Sequence, residues 1–151
     1  MPAKSAAAVS LNDLAEIRRT IRTQFAAASA EAGPVRPSLS GFLRLHLDDL
    51  AEHPAAADFL YGDRVSSGGE RILLERRRLL DWLLREFRKR FAAAIKSGEI
   101  RPEVDPAMAA IHALGAIQMA WTFWTIAGRK GDAASAAAVD LFDQLWDGIR
   151  L

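Results

Sequence analysis

Two histidines and an aspartate in one predicted helix have the residue types of a metal site. His46, Asp49 and His53 occur at positions i, i+3 and i+7, which places two imidazoles and a carboxylate on one helix face. These groups are ligands for divalent transition metals, and His112 could add a third imidazole from another helix. However, seven residues advance a helix by about 10 Å, which is long for two ligands of one ion. A metal-binding helical protein is therefore the alternative function rather than the main one.

Residues for enzymatic chemistry do not form a recognisable motif. The sequence has no cysteine, which excludes disulfides, thiolate metal sites and a cysteine nucleophile in this chain. No serine lies in a nucleophile elbow, and there is neither a glycine-rich phosphate loop nor a paired-carboxylate helix motif. We therefore predict that the chain is not an enzyme and needs no cofactor.

A basic run, ERRRLLDWLLREFRKR, occupies residues 75–90. Its hydrophobic residues keep one helix face and its charges the other, which is typical of a solvated outer face. The formal net charge of the whole chain is only +1. Nucleic-acid contact through this run would therefore be weak and non-specific.

The apolar stretches favour a soluble, cytoplasmic protein. The longest mostly apolar stretch, Met108 to Ala127, is interrupted by His112, Gln118 and two threonines, so it predicts a buried helix rather than a membrane span. No apolar run of signal-peptide length precedes Asn12.

Signals that end and start helices divide the chain. The clearest pair separates two apolar patterns: Gly98 can take the left-handed conformation that closes a helix, and Pro102 cannot continue one. Asp105 can then cap a new helix that has Pro106 in its first position. Ser10 and Asp13 form a capping-box pattern at the first helix.

Further breaks set the number of helices. Residues 32–38, AGPVRPS, predict a turn, and His53 ends the second helix because Pro54 disfavours helical backbone in the residue before it. Residues 66–69, SSGG, predict a loop, and Asp132 can cap a last helix over residues 133–149. We therefore predict an all-α fold of about six helices, with residues 1–9 disordered or frayed and residues 10–151 in one domain.

The last two predicted helices have more apolar surface than so short a chain is expected to cover. Residues 106–127 are apolar nearly all round, and such a helix must be covered on every side. Two apolar helices from each of two chains make a four-helix bundle, although a monomer core stays open as the alternative. The residues predicted at this dimer interface are Ala109, Ala113, Ala116, Ala120, Ala138, Phe142, Leu145 and Trp146.

Three stretches of the sequence resemble one family of regulators. SGEIRPEVDPAMAAIHALGAIQ, residues 97–118, looks like the junction between the seventh and eighth helices of the tetracycline-repressor (TetR) family. FLRLHLDDLAEHPAAADFL, residues 42–60, is similar to the family's fifth helix, His-Pro turn and sixth helix. DAASAAAVDLFDQLWDGI, residues 132–149, resembles its last helix. The resemblance covers roughly residues 10–151 and rests on helix order and break positions.

The resemblance implies the regulatory half of a TetR-type repressor. It implies a ligand pocket among the first four helices, a homodimer through the last two, and a small apolar or aromatic effector. Such pockets are mostly apolar with a few polar groups. The candidate pocket residues on the implied lining helices are Phe42, His46, Phe59, Tyr61, Trp82, Phe87, Gln118, Trp121 and Trp124.

The family's N-terminal helix-turn-helix unit has no counterpart in this sequence, because no stretch before Ser10 can hold a recognition helix. We therefore expect DNA contact only through an N-terminal domain absent from this chain. A stand-alone dimerisation partner that sequesters full-length regulators is a further alternative.

Overall fold

The computed structural model describes residues 10–30, 33–61, 69–128 and 131–151, without the side chains of residues 124–125, 131–132 and 134. Within these ranges the chain forms helices and no strand, so the predicted all-α fold is confirmed. The predictions for residues 1–9 and for most of the loop at 66–69 lie outside the described residues. The predicted start of the last helix is two residues late, because α6 begins at Gly131 and Asp132 lies inside it rather than at its cap. The helices are α1 (Leu11–Ala28), α2 (Val35–Glu52), α3 (Pro54–Tyr61), α4 (Gly69–Lys96), α5 (Pro106–Ile126) and α6 (Gly131–Ile149).

The first helix begins at the predicted capping box. The backbone N–H of Asp13 donates to the Ser10 hydroxyl at 3.2 Å, and the N–H of Ser10 donates to the Asp13 carboxylate at 2.7 Å. Two N–H groups that have no partner inside the helix are thereby satisfied.

The corner between α4 and α5 forms where the sequence predicts it. Gly98 has a φ of +79°, and the N–H of Glu99 donates to the carbonyl of Ala94 at 2.9 Å, which closes α4. The carboxylate of Asp105 accepts the N–H of Ala107 at 2.8 Å, and α5 begins directly after this aspartate.

The start of α2 differs from the prediction. The predicted turn at residues 32–38 is wrong in its second half, because α2 begins at Val35 with Pro34 as its N-terminal flanking residue. Pro37 fits the first turn, where a missing N–H breaks no intrahelical hydrogen bond. The N–H of Val35 donates to both carboxylate oxygens of Glu99, at 2.9 and 3.1 Å.

Helix α2 lies at the centre of the fold and packs against α1, α3, α4 and α6. Its buried face includes Leu39, Leu43 and Leu47, each fully buried. Both α4 and α6 also pack against α5, so the core runs without interruption from the α1 side to the α6 side.

Polar contacts connect the start of α2 and the corner between α4 and α5 to α6. The Arg36 guanidinium donates to Asp143 at 3.0 and 3.1 Å and to Asp147 at 3.0 Å. Arg101 donates through its side chain to the carbonyl of Gly148 at 2.8 Å and through its backbone N–H to Ile149 at 3.0 Å. The cation of Arg101 thus lies at the negative end of the α6 dipole.

Among the described residues, the structure has no helix with both the length and the hydropathy needed to cross a bilayer.

Candidate functional site

Four of the nine candidate pocket residues form the middle of a buried aromatic cluster. The ring of Phe42 stacks on that of His46, with centroids 5.4 Å apart, and its centroid lies 5.8 Å from that of Phe87. The ring centroids of His46 and Tyr61 are 5.9 Å apart. Helices α2, α3 and α4 therefore bring these rings together, and the rings pack against one another. We call these four residues, with Phe25 and Trp82, the aromatic cluster.

Phe25 is the cluster member that sequence reasoning missed. Its ring lies 5.1 Å from Phe42, 5.7 Å from Trp82 and 6.2 Å from Phe87, so it joins α1 to the other helices. The sequence did contain a signal, because Phe25 continues the apolar face of the first helix one turn after Ile21.

A buried polar pair lies inside the aromatic cluster. The Nε2 atom of His46 is 2.9 Å from the hydroxyl of Tyr61, and both side chains are buried. Burial lowers the pKa of His46 from 6.5 to about 4 and raises the pKa of Tyr61 well above its ordinary value. His46 is therefore a neutral imidazole at physiological pH. Its Nδ1 atom has no hydrogen-bond partner among the described residues.

The remaining candidate pocket residues are spread over different environments. Phe59 is buried on α3, and Trp121 is half-buried on α5. Gln118 is exposed on α5, so it faces away from the aromatic cluster. The side chain of Trp124 lies outside the described part of the structure.

A cavity of about 470 Å³ lies between α1 and the turn from α2 to α3. Its apolar lining consists of Ile17 and Ile21 from α1, Leu50 from α2, and Ala55 and Ala56 from α3. We call this space the α1–α2 cavity. None of the nine candidate pocket residues lines it.

Acidic side chains supply most of the polar lining of the α1–α2 cavity. Asp13, Glu16 and Thr20 come from α1, and Asp49 and His53 come from the end of α2. A signal for this face was present in the sequence, since Asp13, Glu16, Ile17 and Thr20 recur at helical spacing.

The three residues of the possible metal site do not converge. His46 is buried beside Tyr61, whereas the Nδ1 of His53 lies 2.9 Å from the carbonyl of Asp49 and 3.4 Å from its carboxylate. Among the described residues, no three histidine, aspartate or glutamate side chains are placed to share a metal ion. His112 is exposed on α5 and lies apart from them.

Most of the residues predicted at a dimer interface lie inside the chain's own core. A side chain buried within one chain leaves little surface for a partner, and a dimer interface at these positions stays a prediction. Ala116 and Leu145 are half-buried, and the six buried residues are Ala109, Ala113, Ala120, Ala138, Phe142 and Trp146.

The outward face of α5 carries large apolar side chains instead. Ile111 is 51% exposed, Met119 is 64% exposed and Ile126 is 82% exposed. They recur at helical spacing with Gly115 between them, and Leu141 of α6 is also exposed. We call the exposed apolar side chains of this helix the α5 stripe: Met108, Ile111, Met119, Phe123 and Ile126.

No family model and no curated protein sequence matches this chain. Two solved structures share its fold. A TetR transcriptional regulator from Chloroflexus aurantiacus J-10-FL has a TM-score of 0.74 and 21% identity, over 93% of this chain and 72% of the other. The fatty acid degradation regulator FadR from Bacillus halodurans has a TM-score of 0.70 and 18% identity, over 92% and 69%. The chain therefore has the fold of a TetR-like C-terminal helical domain.

Proposed function

We propose that this chain is the ligand-sensing and dimerising domain of a TetR-type transcriptional regulator. The observation that carries this proposal is the α5 stripe in a TetR-like fold. Contiguous exposed apolar surface on a folded chain marks an interaction site. We infer that a second copy covers the stripe, because one helix presented by each copy about a two-fold axis gives a closed, self-complementary contact.

The aromatic cluster is the proposed effector site. Its rings come from α1, α2, α3 and α4, and the His46–Tyr61 pair gives it one polar centre. An apolar or aromatic effector suits this environment, since ligand sites are mostly apolar with few polar groups. The effector enters by separating these helices, which selects a minor arrangement of the same fold.

Helix α4 offers a route from the effector site to the proposed interface. Phe87 belongs to the aromatic cluster. Phe91 lies one turn later in α4, and its ring centroid is 5.8 Å from that of Trp146 in α6. Movement of α4 therefore changes the packing of α6, which itself packs against α5. An attached DNA-binding unit would then change its half-site spacing.

Native mass spectrometry of gently purified protein tests both parts of the proposal. We expect a dimer that carries an extra mass per subunit, which is lost on denaturation. Ile111→Asp places a charge in the α5 stripe, and we expect it to give a monomer. Leu45→Asp is the matched control, because Leu45 is 48% exposed on α2, away from the stripe. A wild-type monomer, or a dimer that survives Ile111→Asp, would contradict the proposal.

A further inference from the structure

We propose that the α1–α2 cavity binds an organic cation with a small apolar body, at a site separate from the aromatic cluster. Its volume of about 470 Å³ lies in the ordinary range for small-molecule sites. Ile17, Ile21 and Leu50 supply an apolar lining, so the site can remove part of a ligand from water. The proposal does not depend on dimerisation or on effector binding elsewhere.

Charge complementarity identifies the ligand as a cation. The described lining includes three carboxylates and no lysine or arginine, in a chain whose net charge is +1. Two of the three arginines of α1, Arg18 and Arg22, interact with α4. Arg18 is 3.5 Å from Glu75, and the Arg22 guanidinium lies 5.3 Å from the ring of Trp82. The described lining therefore carries a net negative charge, which disfavours an anion there.

The three carboxylates of the cavity differ in whether they already have partners within the protein. Asp13 is committed to the start of α1, where the Ser10 hydroxyl and N–H hold its pKa below the ordinary value. Asp49 has the imidazole of His53 at 3.4 Å. Glu16 has no hydrogen bond or ion pair with any described residue, so its charge is available to a ligand. Glu16 and Asp49 face the cavity from different helices, which places negative charge on two of its sides.

The apolar part of the lining argues for an organic cation rather than a metal ion. Metal ions need several converging oxygen or nitrogen ligands, and the described residues offer no such group of three. A quaternary or primary ammonium needs only nearby negative charge, while its carbon body fits against isoleucine and leucine. The α1–α2 cavity provides both features in one place.

Titration with benzyltrimethylammonium, followed by the NMR shifts of the Ile17 and Ile21 methyl groups, tests the proposal. Phenylmethanesulfonate has a similar shape and the opposite charge, so it is the matched ligand control. We expect saturable shifts with the cation and none with the sulfonate. Sulfonate binding as tight as that of the cation, or no saturation by the cation at millimolar concentrations, would overturn the proposal.

Two variants connect the binding to the named carboxylates. The double variant Glu16→Gln/Asp49→Asn should weaken cation binding about tenfold, since it removes two of the three carboxylates of the described lining. Arg18→Gln is the control variant and should leave the affinity unchanged, because the Arg18 guanidinium lies 3.5 Å from Glu75 of α4. Thermal unfolding checks that each variant is folded, and Glu16→Gln alone, at an exposed position, replaces the double variant if that one is not. Unchanged affinity in the folded variant would contradict the assignment.

Discussion

The backbone N–H of Val35 donates to both carboxylate oxygens of Glu99, with N···O distances of 2.9 and 3.1 Å. A residue in the corner between α4 and α5 thus caps the start of α2, at a distance of 64 residues along the chain. The flanking residue of α2 is Pro34, which makes no side-chain hydrogen bond to the helix. Glu99 therefore caps the N-terminus of α2, as Ser10 caps the N-terminus of α1.

Replacing Glu99 should destabilise the fold through this cap. Because Glu99→Ala leaves the N–H of Val35 without its acceptor, we expect the free energy of unfolding to fall by about 1 kcal/mol. Urea unfolding followed by circular dichroism measures the change. Glu103→Ala is the control, since Glu103 is exposed and lies 3.8 Å from its ion-pair partner Arg101. Equal losses in both variants would contradict a specific role for Glu99.

The sequence predicts helix ends well where they depend on residues that are close together in the chain. Ser10, Gly98 and Asp105 act on backbone groups within a few residues, so their helix ends were predicted correctly. The first N–H of α2 is bound by Glu99, and no local pattern in the sequence connects Glu99 to Val35. The turn predicted over residues 32–38 therefore extends too far, because residues 35–38 belong to α2.

Helix α5 shows a second limit of sequence prediction. It is apolar nearly all round, so periodicity does not identify the face that turns inward. Its small residues, such as Ala113 and Ala120, pack in the core, while Ile111 and Met119 remain outside. Small side chains allow α5 to approach α4 and α6 closely, and this preference emerges only when all three helices are placed together.

The candidate site was likewise predicted only in part. The sequence supplied Phe42, His46, Tyr61 and Phe87, which do come together as rings of one cluster. It did not supply the α1–α2 cavity, because a cavity is space left between helices after packing. No residue type or spacing encodes that space directly.

The ion pairs between Arg36 and α6 should couple α2 to α6 weakly. Arg36 and Asp143 are partly exposed, so we expect a double-mutant cycle of Arg36→Met and Asp143→Asn to give a coupling of about 0.5 kcal/mol. High salt should reduce this coupling, because ions screen exposed charges. A coupling that does not change between low and high salt would show that packing, not charge, joins the two residues.

Phe87 should contribute far more to stability, because it is fully buried and packs against Phe25 and Phe42. We expect Phe87→Ala to lower the free energy of unfolding by about 3–5 kcal/mol through lost burial and a new cavity. Leu45→Ala, at an exposed position of α2, should change it by less than about 0.5 kcal/mol. Chemical denaturation compares the two. A loss below 1 kcal/mol for Phe87→Ala would mean that the aromatic cluster is not tightly packed.

His46 should make the stability of the fold depend on pH in the acid range. Its pKa is about 4 in the folded chain and 6.5 when exposed, so the unfolded chain binds the proton more tightly. The stability contributed by the neutral imidazole is complete above pH 6.5 and is lost as the pH falls from there towards 4. We expect the free energy of unfolding to be about 2 kcal/mol lower at pH 5 than at pH 8 for this reason.

The variant His46→Phe should remove this pH dependence, because it has no imidazole to protonate. Tyr61→Phe is combined with it so that the tyrosine hydroxyl is not left buried without a partner. His112→Gln changes an exposed histidine on α5 and should keep the wild-type difference between pH 5 and pH 8. Urea unfolding at both pH values measures all three proteins. If the double variant keeps the full wild-type difference, the pH dependence originates elsewhere and the buried His46–Tyr61 pair does not cause it.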